Sequence, residues 1–494
     1  MDMKARSVGL EQLNFDNTYA RLPERWYQRR EPTPLKGAHL AGFNPQVAAI
    51  IGLDPCEVDP RELVPFFNGE KELPGAEPLA MKYTGHQFGF YNPDLGDGRG
   101  LLLGEVVNES GERFDVHVKG AGRTAFSRFG DGRAVLRSSI REYLAGEAMA
   151  GLGIPTTRAL CLIASEQFTQ RNGMEPCALL VRVTPCHIRF GHFEYFFYTR
   201  QYDELKQLAD YCIERFYPGC KTAENPYLAM FLEVQERTAE LVALWQCYGF
   251  VHGVLNTDNM SILGETFDYG PYTFLDGYDP SHVANKNDHE ARYAFGKQPE
   301  IVLWNMSAFA QALVPLVPQK DLEQALTKFM ARYRFHELKR MRARLGLQRE
   351  EEGDAELIAG LKKLAAAQDL DLGRFFYRLS EMDGGGAADW EGLLALVCNP
   401  VDLEAWLTLY QQRLDREVAS FPIRQAQMKA VNPRYVLRNY MAEEVIREAH
   451  AGDYKPLNEL VGLLRDPSRV HPELDRYHDE PPEWAAAICL TCSS

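Results

Sequence analysis

The chain has no run of about 18 uncharged apolar residues, so no part of it is expected to cross a membrane as a helix. Its opening stretch, Met-Asp-Met-Lys-Ala-Arg-Ser-Val-Gly-Leu, has no apolar region of the signal-peptide kind. An excess of positive charge is also missing. The formal net charge is −15, the wrong sign for nucleic acid, whose phosphates demand a basic footprint. ATP stays open, because one nucleotide needs only a few local cations and a metal. A second close pair of cysteines is lacking too. Of the ten cysteines only Cys489 and Cys492 form a C-x-x-C pair, so four-ligand zinc spacing is excluded. The others are scattered, as buried thiols of a reducing compartment usually are. There is no internal repeat and no long low-complexity tract. The expectation is a cytoplasmic monomer with neither nucleic acid nor membrane as partner.

What is present is ordinary globular material, 45% hydrophobic and 25% charged over 494 residues. At about 100–200 residues per unit, that length allows two to four packed units. Prolines from Pro23 to Pro78 punctuate residues 1–80, which read as an extension wrapped over a domain, with short helices at most. Residues 81–190 read as a strand-rich unit. Leu101–Val107 is an apolar run, and Arg113–Lys119 alternates, with Phe114, Val116 and Val118 opposite Asp115, His117 and Lys119. Ala134–Gly151 reads as a helix, and Arg158–Ala164 and Cys177–Val183 as two strands joined through a turn at Asn172-Gly173. The pattern predicts an antiparallel sheet carrying one helix. Residues 191–470 read as helical. One long helix starts at Asn225-Pro226 and ends at Gly249, and the basic stretch Lys328–Arg349 reads as a solvated helix face. Pro472, Pro481 and Pro482 mark a looser tail, 471–494. The fold class is α+β.

Five features carry chemistry. Gly96-Asp97-Gly98-Arg99-Gly100 precedes the first strand, where backbone N–H groups can cradle phosphate; alone, it is also what a plain hairpin turn looks like. Lys119 closes the second strand and Glu142 lies on the following helix, the lysine–glutamate pair of a kinase fold, or two solvated surface residues. His252-Gly253-Val254-Leu255-Asn256-Thr257-Asp258-Asn259, followed by Asp268-Tyr269-Gly270, resembles the kinase catalytic loop and its D-F-G. Asn259 and Asp268 are oxygen donors suited to Mg²⁺. At the kinase catalytic Asp position stands Val254, which cannot accept a proton; the acid reappears as Asp258. Arg182 and Arg189 can clamp phosphates with their forked donors, although isolated arginines are mostly surface residues. The Cys489–Cys492 pair can form a local disulfide and is a candidate redox element. Single signals are modest. Their order along the chain matches a bilobal kinase-like architecture, with an N-terminal extension and a large helical C-terminal part.

In combination the sequence resembles the selenoprotein O family. The resemblance rests on Tyr83-Thr84-Gly85-His86-Gln87-Phe88-Gly89, Leu95-Gly96-Asp97-Gly98-Arg99, Lys119-Gly120, Asn256-Thr257-Asp258-Asn259-Met260, Asp268-Tyr269-Gly270-Pro271, Asn439-Tyr440 and the terminal Cys-Ser-Ser. It implies a pseudokinase-like protein adenylyltransferase that binds ATP inverted and offers its α-phosphate to protein hydroxyls. Gly96, Gly98, Arg99, Lys119, Asp131, Gly132, Arg182, Arg189 and Asp268 would surround ATP, with Glu142 orienting Lys119. Asn259 and Asp268 would hold Mg²⁺, or Mn²⁺, and Asp258 would accept the proton. Acceptor proteins would be the partners, with a redox link suggested by family members that carry Cys-x-x-Sec where this chain has Cys489 and Cys492. Some members pair the terminal cysteine with one after D-Y-G, but residues 271–290 here contain no cysteine. An ordinary kinase and a non-catalytic nucleotide-binding scaffold are the alternatives.

Overall fold

The computed structural model describes residues 9–171, 173–382 and 390–491. Asn172 of the expected turn and Cys492 lie outside them. The first half is built on one antiparallel sheet. Its strands are β1 (Tyr27–Arg29), β2 (His39–Phe43), β3 (Leu79–Met81), β6 (Gly100–Val107), β7 (Arg113–Lys119), β8 (Ala134–Val135), β9 (Arg158–Gln170) and β10 (Met174–Thr184). A separate hairpin pairs β4 (Gly85–Gln87) with β5 (Phe90–Asn92). The sheet runs β1-β3-β6-β7-β10-β9-β2, with β8 beside β10.

The N-terminal segment therefore does more than the sequence suggests. Besides short helices, it supplies both edge strands of the sheet, β1 and β2. Neither strand contains a proline, but at three and five residues among the surrounding prolines they are too short to show period-two alternation. Proline is tolerated beside short edge strands, where one side of the ladder needs no N–H donor.

Alternation decides what each sheet face meets. Val116 and Val118 of β7 pack with Leu101, Leu103, Leu160, Ile163, Leu179 and Val181 into a core that the N-terminal segment closes with Val47, Leu63 and Phe67. The opposite face, with Leu102, Leu162 and Leu180, lies under Ile140, Tyr143 and Leu144 of the helix Leu136–Gly151. The helices Asn439–His450 and Lys455–Arg465 pack on the outer side of that helix. At Gly151 a Cβ would stand 2.0 Å from the Leu464 carbonyl oxygen, so only glycine permits this approach. Glu142 is consequently buried with its helix.

The second half is helical apart from β11 (Phe250–Val251) and β12 (Thr273–Phe274). The long helix Pro226–Tyr248 is capped by the Asn225 side chain, which accepts from the N–H groups of Tyr227 and Leu228. It ends at Gly249 in the left-handed region, φ 70°. β11 follows at once and pairs with β12, so the loop between them, 252–272, is held at both ends. The basic helix Phe329–Arg344 is only partly solvated. Arg344 is buried, donates to Asn432 Oδ1 at 2.9 Å, and stacks 3.9 Å over Phe376. Charge counting misses this because a guanidinium satisfied by polar atoms and rings can be interior. Among the described residues no helix is long and apolar enough to cross a membrane.

Candidate nucleotide-transfer site

A cavity of about 530 Å³ opens between the sheet and the 252–272 loop, within the range of small-ligand sites. Gly96, Gly98, Arg99, Lys119, Asp131, Gly132, Arg182, Arg189, Asp258, Asn259 and Asp268 all line it. All the sequence-predicted ATP-site residues thus meet at one place. Glu142 stands just behind, on Lys119.

The glycine loop is pinned by the second loop, 120–133. Thr124 Oγ1 donates to the Asp97 carbonyl at 2.7 Å, and Ser127 Oγ donates to the Gly98 carbonyl. A Cβ on Gly98 would come 2.8 Å from the Phe126 carbonyl oxygen, so the loops can stack only with glycine there. Asp97 is buried, accepts from the Met81 N–H at 3.1 Å and faces His117 at 3.5 Å. It serves the loop's shape.

The centre is a buried ion network. Glu142 gives one oxygen to Lys119 and the other to Arg182 Nε at 2.5 Å. Arg182 reaches on to Asp268 at 2.8 Å, and Arg189 also pairs with Asp268. Arg189 donates to the Asp258 carbonyl at 2.8 Å and lies over the rings of Tyr83 and Phe267, 4.5 and 4.7 Å from their centroids. Burial pushes the carboxyls of Glu142 and Asp268 upward, but the facing cations outweigh it and hold both below the usual range; Asp268 lies far below. Lys119 is held down to about 8, first by burial and then by Arg182 and Arg99, against the pull of Glu142. Arg99 adds a guanidinium with no ion-pair partner among the described residues. The result is a cationic pocket in an acidic protein.

Two departures from expectation stand out. Arg182 and Arg189 are engaged with carboxylates, so phosphates would have to take them over. Asp131 is also engaged: its carboxylate receives the fork of Arg171 at 2.8 and 3.0 Å. Arg171 lines the cavity as a further cation. Sequence reasoning passed over it because a lone arginine at a hairpin end carries no motif.

Asp258 is buried, and burial lifts its carboxyl to about 7 against the opposing pull of Arg189. Gln87 Nε2 donates to its Oδ2 at 3.2 Å; Oδ1 has no donor among the described residues. That is a carboxylate fit to take a proton near neutrality. Val254, at the kinase base position, lines the same cavity. Asn259 is fixed by its Nδ2 donating to the Val254 carbonyl at 2.9 Å, leaving its Oδ1 as an acceptor. Asp268 sits at φ 57°, a left-handed conformation that aspartate and asparagine tolerate better than most residues. A carboxamide oxygen and a carboxylate on one cavity wall are hard donors of the kind Mg²⁺ takes alongside phosphate oxygens. Cys489 is exposed and lines a different cleft, with Arg137 and Trp484.

A strand lysine locked to a helix glutamate, sharing a cavity with an Asn/Asp pair and a raised carboxyl, is an arrangement able to hold a phosphorylated nucleotide and to take a proton beside it. The chain matches the family described as Protein adenylyltransferase SelO over residues 9–465, and it belongs to that family. It is 55% identical over 494 residues to the Protein nucleotidyltransferase YdiU of Hahella chejuensis, covering 100% of both chains. Its similarity to the proteins of the same name from Vibrio cholerae and Azotobacter vinelandii is 49% and 48% identity, each over 98% of this chain and 99% of the relative.

Proposed function

We propose that this chain transfers AMP from ATP to serine, threonine or tyrosine hydroxyls of proteins, releasing pyrophosphate, from a bilobal kinase-like scaffold. In this reading residues 81–190 and 191–470 are the lobes, 1–80 the extension and 471–494 the tail. The observation that carries it is Asp258: a buried carboxyl raised toward 7 in the same cavity as the cations, where Val254 replaces the kinase base.

The chemistry follows from the residues. Arg99, Lys119, Arg182 and Arg189 bind the triphosphate and offset its charge, and the N–H groups of the 96–100 loop add donors. Phosphate oxygens draw Arg182 and Arg189 off Asp268, which frees that carboxylate. Asn259 and Asp268 would then hold Mg²⁺ or Mn²⁺, which when bound neutralises phosphate charge. The acceptor hydroxyl gives its proton to the Asp258 carboxylate as its oxygen attacks the α-phosphorus. The bond from that phosphorus to the bridging oxygen breaks, and pyrophosphate leaves. Glu142 keeps Lys119 in place throughout. The nine described cysteines are free thiols, which supports a reducing, cytoplasmic setting. Cys489 is accessible for the redox role implied for the tail.

The test is ATP labelled at either the α or the γ position, supplied with Mg²⁺ and acceptor proteins. Label from the α position remains on protein, with adducts of AMP mass. Stable γ-label without α-label refutes adenylyl transfer and assigns a kinase.

A further inference from the structure

The mechanism leaves the β4–β5 hairpin unused, yet it is fastened to the catalytic loop. The His86 N–H donates to Thr257 Oγ1 at 2.6 Å, and the Phe88 N–H donates to Tyr293 Oη at 2.9 Å. Gln87 donates to Asp258, and Asn92 Nδ2 holds Gln87 Oε1 at 3.0 Å. The register opposes His86 to Tyr91 and Gln87 to Phe90. Opposed residues of an antiparallel pair share a face, so this hairpin has two unlike faces. The His86–Tyr91 face is packed: Tyr198 lies 4.1 Å from Tyr91 and Trp304 lies 5.3 Å from His86, ring to ring. The Gln87–Phe90 face looks toward Asp258. There Phe90 is 79% exposed, and Phe88, at the turn, is 36% exposed while packed on Tyr293.

A single exposed phenylalanine is ordinary. Here two stand on a hairpin bonded to the proton acceptor, so their position is as fixed as that of the base. Phe88 belongs to the cavity rim, whereas Phe90 lies beyond the residues that line the cavity. A nucleotide seated inside leaves Phe90 uncovered. A polypeptide that brings its hydroxyl to the Asp258 carboxylate has Phe90 beside it, because Phe90 stands opposite the Gln87 that is bonded to Asp258.

We propose that Phe90, with Phe88, reads the acceptor protein, taking an aromatic or long aliphatic side chain a few residues from the hydroxyl that is modified. This rests on the adenylyl-transfer reading for the location of the acceptor hydroxyl. The test uses the full chain with a saturating non-hydrolysable ATP analogue. Short fluorescent peptides carry one serine flanked by Phe, Leu, Asp or Gly, and binding is read by polarisation. The wild type binds the Phe and Leu peptides more tightly than the Asp and Gly peptides. Phe90→Ser weakens the Phe and Leu peptides roughly tenfold, as truncating an aromatic anchor does, and leaves affinity for the ATP analogue unchanged. Phe90→Leu keeps most of the preference. Equal binding of all peptides by the wild type, or equal affinities in wild type and Phe90→Ser, overturns the proposal. So does a loss of nucleotide affinity with peptide binding intact, which would assign Phe90 to the nucleobase. So does loss in Phe90→Ser of a dimer formed by the wild type in sedimentation, with peptide binding intact. Peptides that bind with the expected preference but take no α-label refute adenylyl transfer and leave the docking surface standing.

Discussion

Asp268→Asn separates charge from shape at the centre of the site. Asparagine matches aspartate in volume and tolerates the left-handed φ of 57°, so the backbone stays as it is. Alanine there would add about 1–2 kcal/mol of conformational cost. What the substitution removes is the anion between Arg182 and Arg189, whose side chains are 4% and 3% exposed. Deleting one partner of a buried ion pair costs about 3–5 kcal/mol. The lower end applies, because Asp268 is 22% exposed and both arginines keep partners: Arg182 keeps Glu142, and Arg189 keeps the Asp258 carbonyl and two aromatic rings. At about 2–4 °C per kcal/mol for a unit of 150–250 residues, a loss of about 3 kcal/mol lowers the thermal midpoint by roughly 6 °C or more. Nucleotide binding separates this from simple damage. Without divalent metal, Asp268 competes with phosphate for the two arginines, so Asp268→Asn binds ATP more tightly than the wild type. The gain is at least about tenfold, since one charge a few ångströms away outweighs about 1.4 kcal/mol at an effective dielectric of about 20. With Mg²⁺ the same variant loses transfer. Scanning fluorimetry and metal-free ATP titration read the two effects. An unchanged midpoint together with weaker metal-free ATP binding would refute the network as described.

Three further outcomes follow from the same geometry. Asp258→Asn keeps ATP affinity and loses at least about 100-fold in transfer, the scale of general base removal; transfer near the wild-type rate would take Asp258 out of that role. The affinity of the wild type for ATP falls as pH rises through about 8, because Lys119 then loses the charge that binds phosphate; below that pH the charge, and the affinity, are fully present. Lys119→Met is flat across this window and weak throughout, and an unaltered pH slope in the variant would show that another group titrates. Mild oxidant links Cys489 to Cys492 or to another thiol, as peptide mapping would detect, and dithiol reductant reverses it. If Cys489→Ser/Cys492→Ser responds to redox state as the wild type does, the switch lies elsewhere.

Much of the site was legible because it rests on short-range rules. The glycine loop ahead of β6, Lys119 at the end of β7 and Glu142 two turns into a helix are all set by strand and helix periodicity over a few dozen residues. The Asn225 cap and Gly249 terminus fix where the chain enters the 252–272 loop, so Asp258, Asn259 and Asp268 could be read from spacing. Tertiary packing alone decided the pairings. Arg189 and Asp268 are 79 residues apart, and Gln87 and Asp258 are 171 apart; no local preference sets such distances. Nor does a sequence say whether an arginine is solvated. Arg344 is interior because rings and carbonyls surround it, and Arg171 reaches the cavity because Asp131 holds it there. The edge strands of residues 9–80 belong with these, since strands of three and five residues have too few positions to show alternation and exist only where a sheet offers them a partner.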